Sequence, residues 1–188
     1  MIEASAPKPI KATRFRVGAA VAVAVAVAFV VWLVARPGDN PSTTTATRSQ
    51  PVSASVSDIS SVAGSLKHQL FWVGQKSGFT YELTKAKSGN VWVRYLPSGT
   101  QIGDTRANFL TIGTYPKAKA FESVQAATKR KGAVAVSAPS GALAVQYTDR
   151  PSSVYVAFPN SNLLIEVFDP SPNTARSVVT SGALRSVG

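Results

Sequence analysis

Thr80-Tyr81-Glu82-Leu83 and Val91-Trp92-Val93-Arg94-Tyr95-Leu96 lie on either side of Ser88-Gly89-Asn90. Two runs rich in β-branched and aromatic residues around a small polar turn predict a β-hairpin. Successive strand side chains point to opposite sheet faces. Val91, Val93 and Tyr95 therefore form an inward set, leaving Trp92, Arg94 and Leu96 for the other face. Short β segments continue on both sides of the hairpin, at Leu70–Val73 and Asn108–Gly113, then at Ala133–Val136, Ala142–Thr148, Val154–Phe158 and Leu163–Phe168. The last four are separated by Pro139-Ser140-Gly141, Asp149-Arg150-Pro151 and Pro159-Asn160-Ser161, turn residues at the tight spacing of an antiparallel meander.

Helical spacing interrupts the strands three times. Ala120, Phe121, Val124 and Ala127 make an apolar stripe in a helix expected from Pro116 to Lys131, with Gly132 ending it. Asp169-Pro170-Ser171-Pro172 opens a second helix through about Thr180, stopped by Gly182. Ile59, Val62, Ala63 and Leu66 predict a short helix capped by Ser57 or Asp58. The expected fold is a small α+β domain: an antiparallel sheet of about six to seven strands with two or three helices, preceded by a single transmembrane α-helix. Val91–Tyr95 echoes Val154–Phe158, and each is followed by a strand, a Tyr115-Pro116 or Asp169-Pro170 pair, and a helix carrying Ser123-Val124 or Ser177-Val178. The echo raises an internal duplication as an expectation.

The transmembrane expectation rests on Val17–Ala35, 19 residues with no polar side chain except the Trp32 indole. As a helix it spans about 28 Å, close to the hydrocarbon thickness of about 30 Å. The rival is a cleaved signal peptide, whose apolar region is shorter and ends in a small-x-small site. Lys8, Lys11, Arg14 and Arg16 precede the run, so the positive-inside rule keeps residues 1–16 cytoplasmic. Residues 36–57 are rich in Ser, Thr and Pro and read as a linker. Residues 58–188 then form the extracytoplasmic domain, and the expected location is the cell membrane, with one span and the C-terminal domain outside.

The formal net charge is +11 across 188 residues, and residues 66–188 hold 14 basic and 6 acidic side chains. Such an excess favours anionic partners. The absence of Cys excludes disulfides, thiolate metal sites and cysteine nucleophiles, and the lone His68, read as a surface residue, excludes a multi-histidine site. No Gly-x-Ser-x-Gly elbow, phosphate loop, dinucleotide fingerprint or calcium loop is present, so neither cofactor nor metal is expected.

Several runs resemble secreted or membrane-anchored domains of actinobacteria: Trp72-Val73-Gly74, Tyr81-Glu82-Leu83-Thr84, Val93-Arg94-Tyr95-Leu96-Pro97, Gly113-Thr114-Tyr115-Pro116, Arg150-Pro151-Ser152-Ser153-Val154-Tyr155 and Glu166-Val167-Phe168-Asp169-Pro170-Ser171-Pro172. The resemblance covers roughly residues 70–182. It implies an anchored outer domain and no particular activity.

Two surfaces are candidates for binding. Lys117, Lys119, Lys129, Arg130 and Lys131 form the densest basic cluster of the folded part, suited to an anionic envelope polymer or a lipid surface. A solvated helix end that complements the helix dipole explains the same residues without a ligand. Trp92, Arg94, Tyr155 and Glu166 fall on one sheet face, where aromatic and polar groups suit a peptide or a sugar; a helix covering that face would make the aromatics core instead. The expected function is a non-catalytic, envelope-anchored binding or interaction domain whose partner is anionic material or another envelope protein, and not nucleic acid. The alternatives are an envelope-acting hydrolase using the strand carboxylates Glu82 and Glu166, or a bitopic scaffold assembling through its transmembrane helix.

Overall fold

The hairpin read from the sequence is the nucleus of a larger sheet. In the computed structural model, residues 49–187 are described. Their strands are β1 (Val52–Ala54), β2 (Phe71–Trp72), β3 (Phe79–Lys85), β4 (Val91–Pro97), β5 (Thr111–Pro116), β6 (Ala133–Val136), β7 (Leu143–Tyr147), β8 (Arg150–Ala157), β9 (Leu163–Phe168) and β10 (Arg185–Ser186). Three helices interrupt them: α1 (Val56–Ser65), α2 (Ala120–Ala127) and α3 (Pro172–Thr180). Eight strands form one antiparallel sheet in the order β1-β3-β4-β5-β9-β8-β7-β6, and β10 pairs with β2 in a second, two-stranded sheet.

This corrects the expected fold. The domain is mostly β, with ten strands in two sheets rather than six or seven in one, and none of the three described helices is long and apolar enough to cross a membrane. The missed strands β1 and β10 have three and two residues, too few to show any periodicity. They exist because a longer strand supplies the partner. The expected span at 17–35 lies outside the described residues. β1 falls inside the stretch read as linker, and there Ser49 is tied to Lys85 on β3 by its backbone N–H and its hydroxyl.

The boundaries moved for local reasons. β5 begins three residues later than expected and runs to Pro116, because it pairs with β9 as far as Pro116↔Leu163. Pro116 is therefore the end of a strand, and α2 starts only after Lys119, which sits at φ 55. α1 is capped by Ser55, not Ser57 or Asp58. The Ser55 hydroxyl accepts from the Asp58 N–H while the Asp58 carboxylate accepts from the Ser55 N–H.

The sheet is buried on both faces. Leu83, Val91, Val93, Ile112, Val154, Val156 and Ile165 share one core with Ile59 of α1, Ala175 and Val179 of α3, and Phe71 and Trp72 of β2. Trp92, Tyr115, Val145, Tyr155 and Leu164 share the other with Ala120, Val124 and Ala127 of α2. Helices α2 and α3 thus lie on opposite faces.

The strand order is symmetric about its centre when β1, β3, β4 and β5 are matched in turn with β6, β7, β8 and β9, and the register at the centre follows it. Around Gly113↔Glu166 the pairs Ile112↔Val167 and Thr114↔Ile165 are equivalent, and Trp92 faces Gly113 as Tyr155 faces Glu166. Val91–Tyr95 and Val154–Phe158 occupy corresponding places in this register. The helices break the correspondence, since they cover different faces and bury Val124 and Val179 rather than Val124 and Val178.

Candidate functional site

One row of side chains crosses the face beneath α2: Trp92, Gly113, Glu166 and Tyr155 stand directly opposite one another on β4, β5, β9 and β8. Glu166 is only 4% exposed. Its carboxylate accepts from the Tyr115 hydroxyl at 2.7 Å, the Ser153 hydroxyl at 2.8 Å and the Tyr155 hydroxyl at 3.1 Å. The Trp92 indole N–H in turn donates to the Tyr115 hydroxyl at 2.9 Å. Burial pushes the Glu166 carboxyl above its ordinary range, and the three hydroxyls pull against that shift. Tyr115 and Tyr155 are both pushed up, first by burial and then by the neighbouring carboxylate. Three of the four residues proposed for a sheet-face contact, Trp92, Tyr155 and Glu166, therefore meet in one buried network centred on Glu166, with Tyr115 linking Trp92 to it.

Arg94 belongs to a different network on the same face. Its guanidinium lies 2.6 Å from the Glu82 carboxylate, whose second oxygen accepts from the Gly103 N–H. The same guanidinium donates to the Arg106 carbonyl and lies 5.0 Å from the centre of the Phe109 ring. The segment between β4 and β5 therefore covers this half of the face, as α2 covers the other. Glu82 and Glu166, the two strand carboxylates, sit in separate clusters with all four oxygens engaged.

The basic cluster is divided by the structure. Lys117 and Lys119 precede α2, and Lys129, Arg130 and Lys131 follow its Thr128 cap in a turn. Eight helical residues, about 12 Å, separate the two groups. Lys119, Lys129 and Lys131 are exposed, and Lys117 is half-buried, with desolvation lowering its ammonium pKa. Arg130 hydrogen-bonds Tyr147.

An open cleft of about 730 Å³ lies at the edge of the other face, next to the small sheet. Four separate segments build it: the α1–β2 connection with Lys67, His68 and Gln69, Pro116 at the end of β5, the β8–β9 turn with Phe158 to Leu163, and β10 with Arg185. The rings of Phe71 and Phe158 stack at 5.2 Å with 12° between their planes. His68 is half-buried rather than a free surface residue. Its Nδ1 and Nε2 lie 2.8 and 3.0 Å from the carbonyl oxygens of Gln69 and Gly89, which ties the β3–β4 turn to the cleft rim. Asn162 accepts from the backbone N–H groups of both Lys117 and Lys119, which ties the start of α2 to the β8–β9 turn. No acidic side chain lines it. The sequence marks the Pro159-Asn160-Ser161 turn, Pro116 and the strand ends, but the fold alone brings the four segments together.

No protein-family model matches the chain, and neither the curated proteins nor the solved structures yield a match. Among the described residues, no group of three or more His, Asp or Glu side chains could hold a metal ion.

Proposed function

We propose that the folded domain is a binding module for anionic material of the cell envelope, held outside the cytoplasm by the apolar run 17–35, and that it performs no covalent chemistry. The observation that carries this reading is the imbalance of surface charge. Glu82 and Asp104 are held in salt bridges with Arg94 and Arg106. Lys119, Lys129 and Lys131 face solvent with no carboxylate within salt-bridge distance, and Lys117 has none either. A helix dipole rewards a cation at its C-terminal end by about 0.3–1 kcal/mol, but disfavours one at its N-terminal end. Lys117 and Lys119 stand at that N-terminal end, so the dipole does not account for them. The engagement of Glu82 and Glu166 in closed networks supports binding over hydrolysis.

The test uses the full-length chain in neutral detergent micelles, applied to immobilised polyglycerol phosphate. Retention at low salt and release at high salt are expected, because exposed charges are screened beyond about 8 Å at physiological ionic strength. The folded triple variant Lys119→Glu, Lys129→Glu, Lys131→Glu should pass through unretained. Equal retention of this variant, or no retention of the native chain, would overturn the reading.

A further inference from the structure

We propose that the cleft between the small sheet and the β8–β9 turn is a binding site for an anionic saccharide unit. The inference deepens the reading of the domain as a binding module, and it rests on different residues from the lysines around α2. Three features of the cleft converge on this ligand class.

The first is charge. Lys67 lines the cleft, no acidic side chain does, and Lys67 takes part in no salt bridge among the described residues. A ligand that enters supplies the missing anionic group. The Lys67 ammonium offers it three donors, and charge-assisted hydrogen bonds of this kind are the strong ones.

The second is the amides. Gln69, Asn160 and Asn162 all line the cleft, and Asn160 is held at φ 58 at the tip of the β8–β9 turn. A side-chain amide is donor and acceptor at once. Neighbouring hydroxyls on a sugar ring are also donors and acceptors, so the two sets match. A fatty acid would leave the amides unmatched.

The third is the apolar wall. The half-buried Phe158 ring, backed by the buried Phe71 ring, stands beside the exposed Pro116 and Pro159. A pyranose presents a face of C–H groups, which buries against such a wall while its hydroxyl edge remains available. A free phosphate ion would make no use of this wall.

The experiment is calorimetric titration of the full-length chain in neutral detergent micelles with tri-galacturonate, neutral galactotriose and a triglutamate peptide. Saturable binding of tri-galacturonate is expected, with galactotriose and triglutamate each weaker by about tenfold or more, the equivalent of one charge-assisted hydrogen bond. Lys67→Gln should weaken tri-galacturonate by about tenfold. Asn160→Gly, which keeps the backbone at a φ that glycine adopts freely, should weaken it too and tests the turn separately from Lys67. Both variants should still be retained on polyglycerol phosphate, and the triple lysine variant should still bind tri-galacturonate, so the two readings fail separately. The proposal is overturned if tri-galacturonate shows no saturable binding, if galactotriose or triglutamate binds as well, or if a folded Asn160→Gly variant binds unchanged.

Discussion

The Tyr115 hydroxyl occupies the space that a side chain at Gly113 would need. A Cβ at Gly113 would lie 2.4 Å from that hydroxyl, well inside contact distance. Residues 113 and 115 share a sheet face, so Tyr115 lies back along β5 over the glycine and reaches Glu166 on β9. Gly113 needs no unusual backbone angle here. Its role is to be small.

Gly113→Ala should therefore break the Tyr115–Glu166 hydrogen bond as well as crowd the core. Overpacking typically costs about 1–3 kcal/mol. Tyr115→Phe should cost a similar amount, because it strips a donor from a buried carboxylate and an acceptor from the Trp92 indole, and an unsatisfied buried group costs about 1–3 kcal/mol. The double variant should be markedly less destabilised than the sum of the two, since both changes remove the same contact. Denaturant unfolding measures all three, and simple additivity would show that Gly113 acts independently of Tyr115.

Glu166 gives stability a definite pH dependence. Its folded pKa is raised from the ordinary 4.5 by burial, the largest cause. Above about pH 4.5 the unfolded chain releases this proton while the folded chain keeps it, so stability falls as pH rises, then levels once the folded carboxyl ionises too. Glu166→Gln should flatten that part of the profile. Asp104 acts in the opposite direction, held at about 2 by its hydrogen bonds to Arg106. Its contribution is present above 3.8 and is lost as pH falls towards about 2. Asp104→Asn should change the profile only in that acid range. Thermal midpoints against pH resolve the two windows.

The Glu82–Arg94 pair should be sensitive on one side above all. Glu82 has a side-chain exposure of 2% and Arg94 of 12%. Arg94→Met leaves a buried carboxylate without its cation and should cost about 3–5 kcal/mol, whereas replacing both residues with apolar groups of similar volume should cost less. If Arg94→Met left the unfolding midpoint unchanged, the pair would have no structural weight.

Removing residues 49–54 should lower stability by about 3 kcal/mol, from several hydrogen bonds worth about 1 kcal/mol each in net terms. The deletion takes away β1 and the bonds between Ser49 and Lys85, and it uncovers the outer edge of β3. Calorimetry would show an unchanged midpoint if this segment were only a tether.

Topology is tested on intact cells stripped of any wall. Protease added outside should degrade residues 37–188 and spare the first sixteen. A protected C-terminus together with an accessible N-terminus would reverse the orientation.

By itself the sequence determined the local elements. Ala133–Val136 and Leu163–Phe168 form strands with the bounds read from them, and Ile59, Val124 and Ala127 are buried as their helical spacing requires. Periodicity and turn chemistry act over a few residues, so they are legible in a linear chain. Only the tertiary structure decided what those elements meet. It added β1 and β10, whose strand character comes from their partners, and it sealed both faces of the sheet, which turned Trp92, Tyr155 and Glu166 into a closed buried network. It divided the five basic residues between the two ends of α2 and gathered Lys67, Asn160 and Arg185, almost 120 positions apart at the extremes, around one cleft. Contacts between residues so distant in the chain are made by strand pairing and packing, and no short-range signal in the sequence carries them.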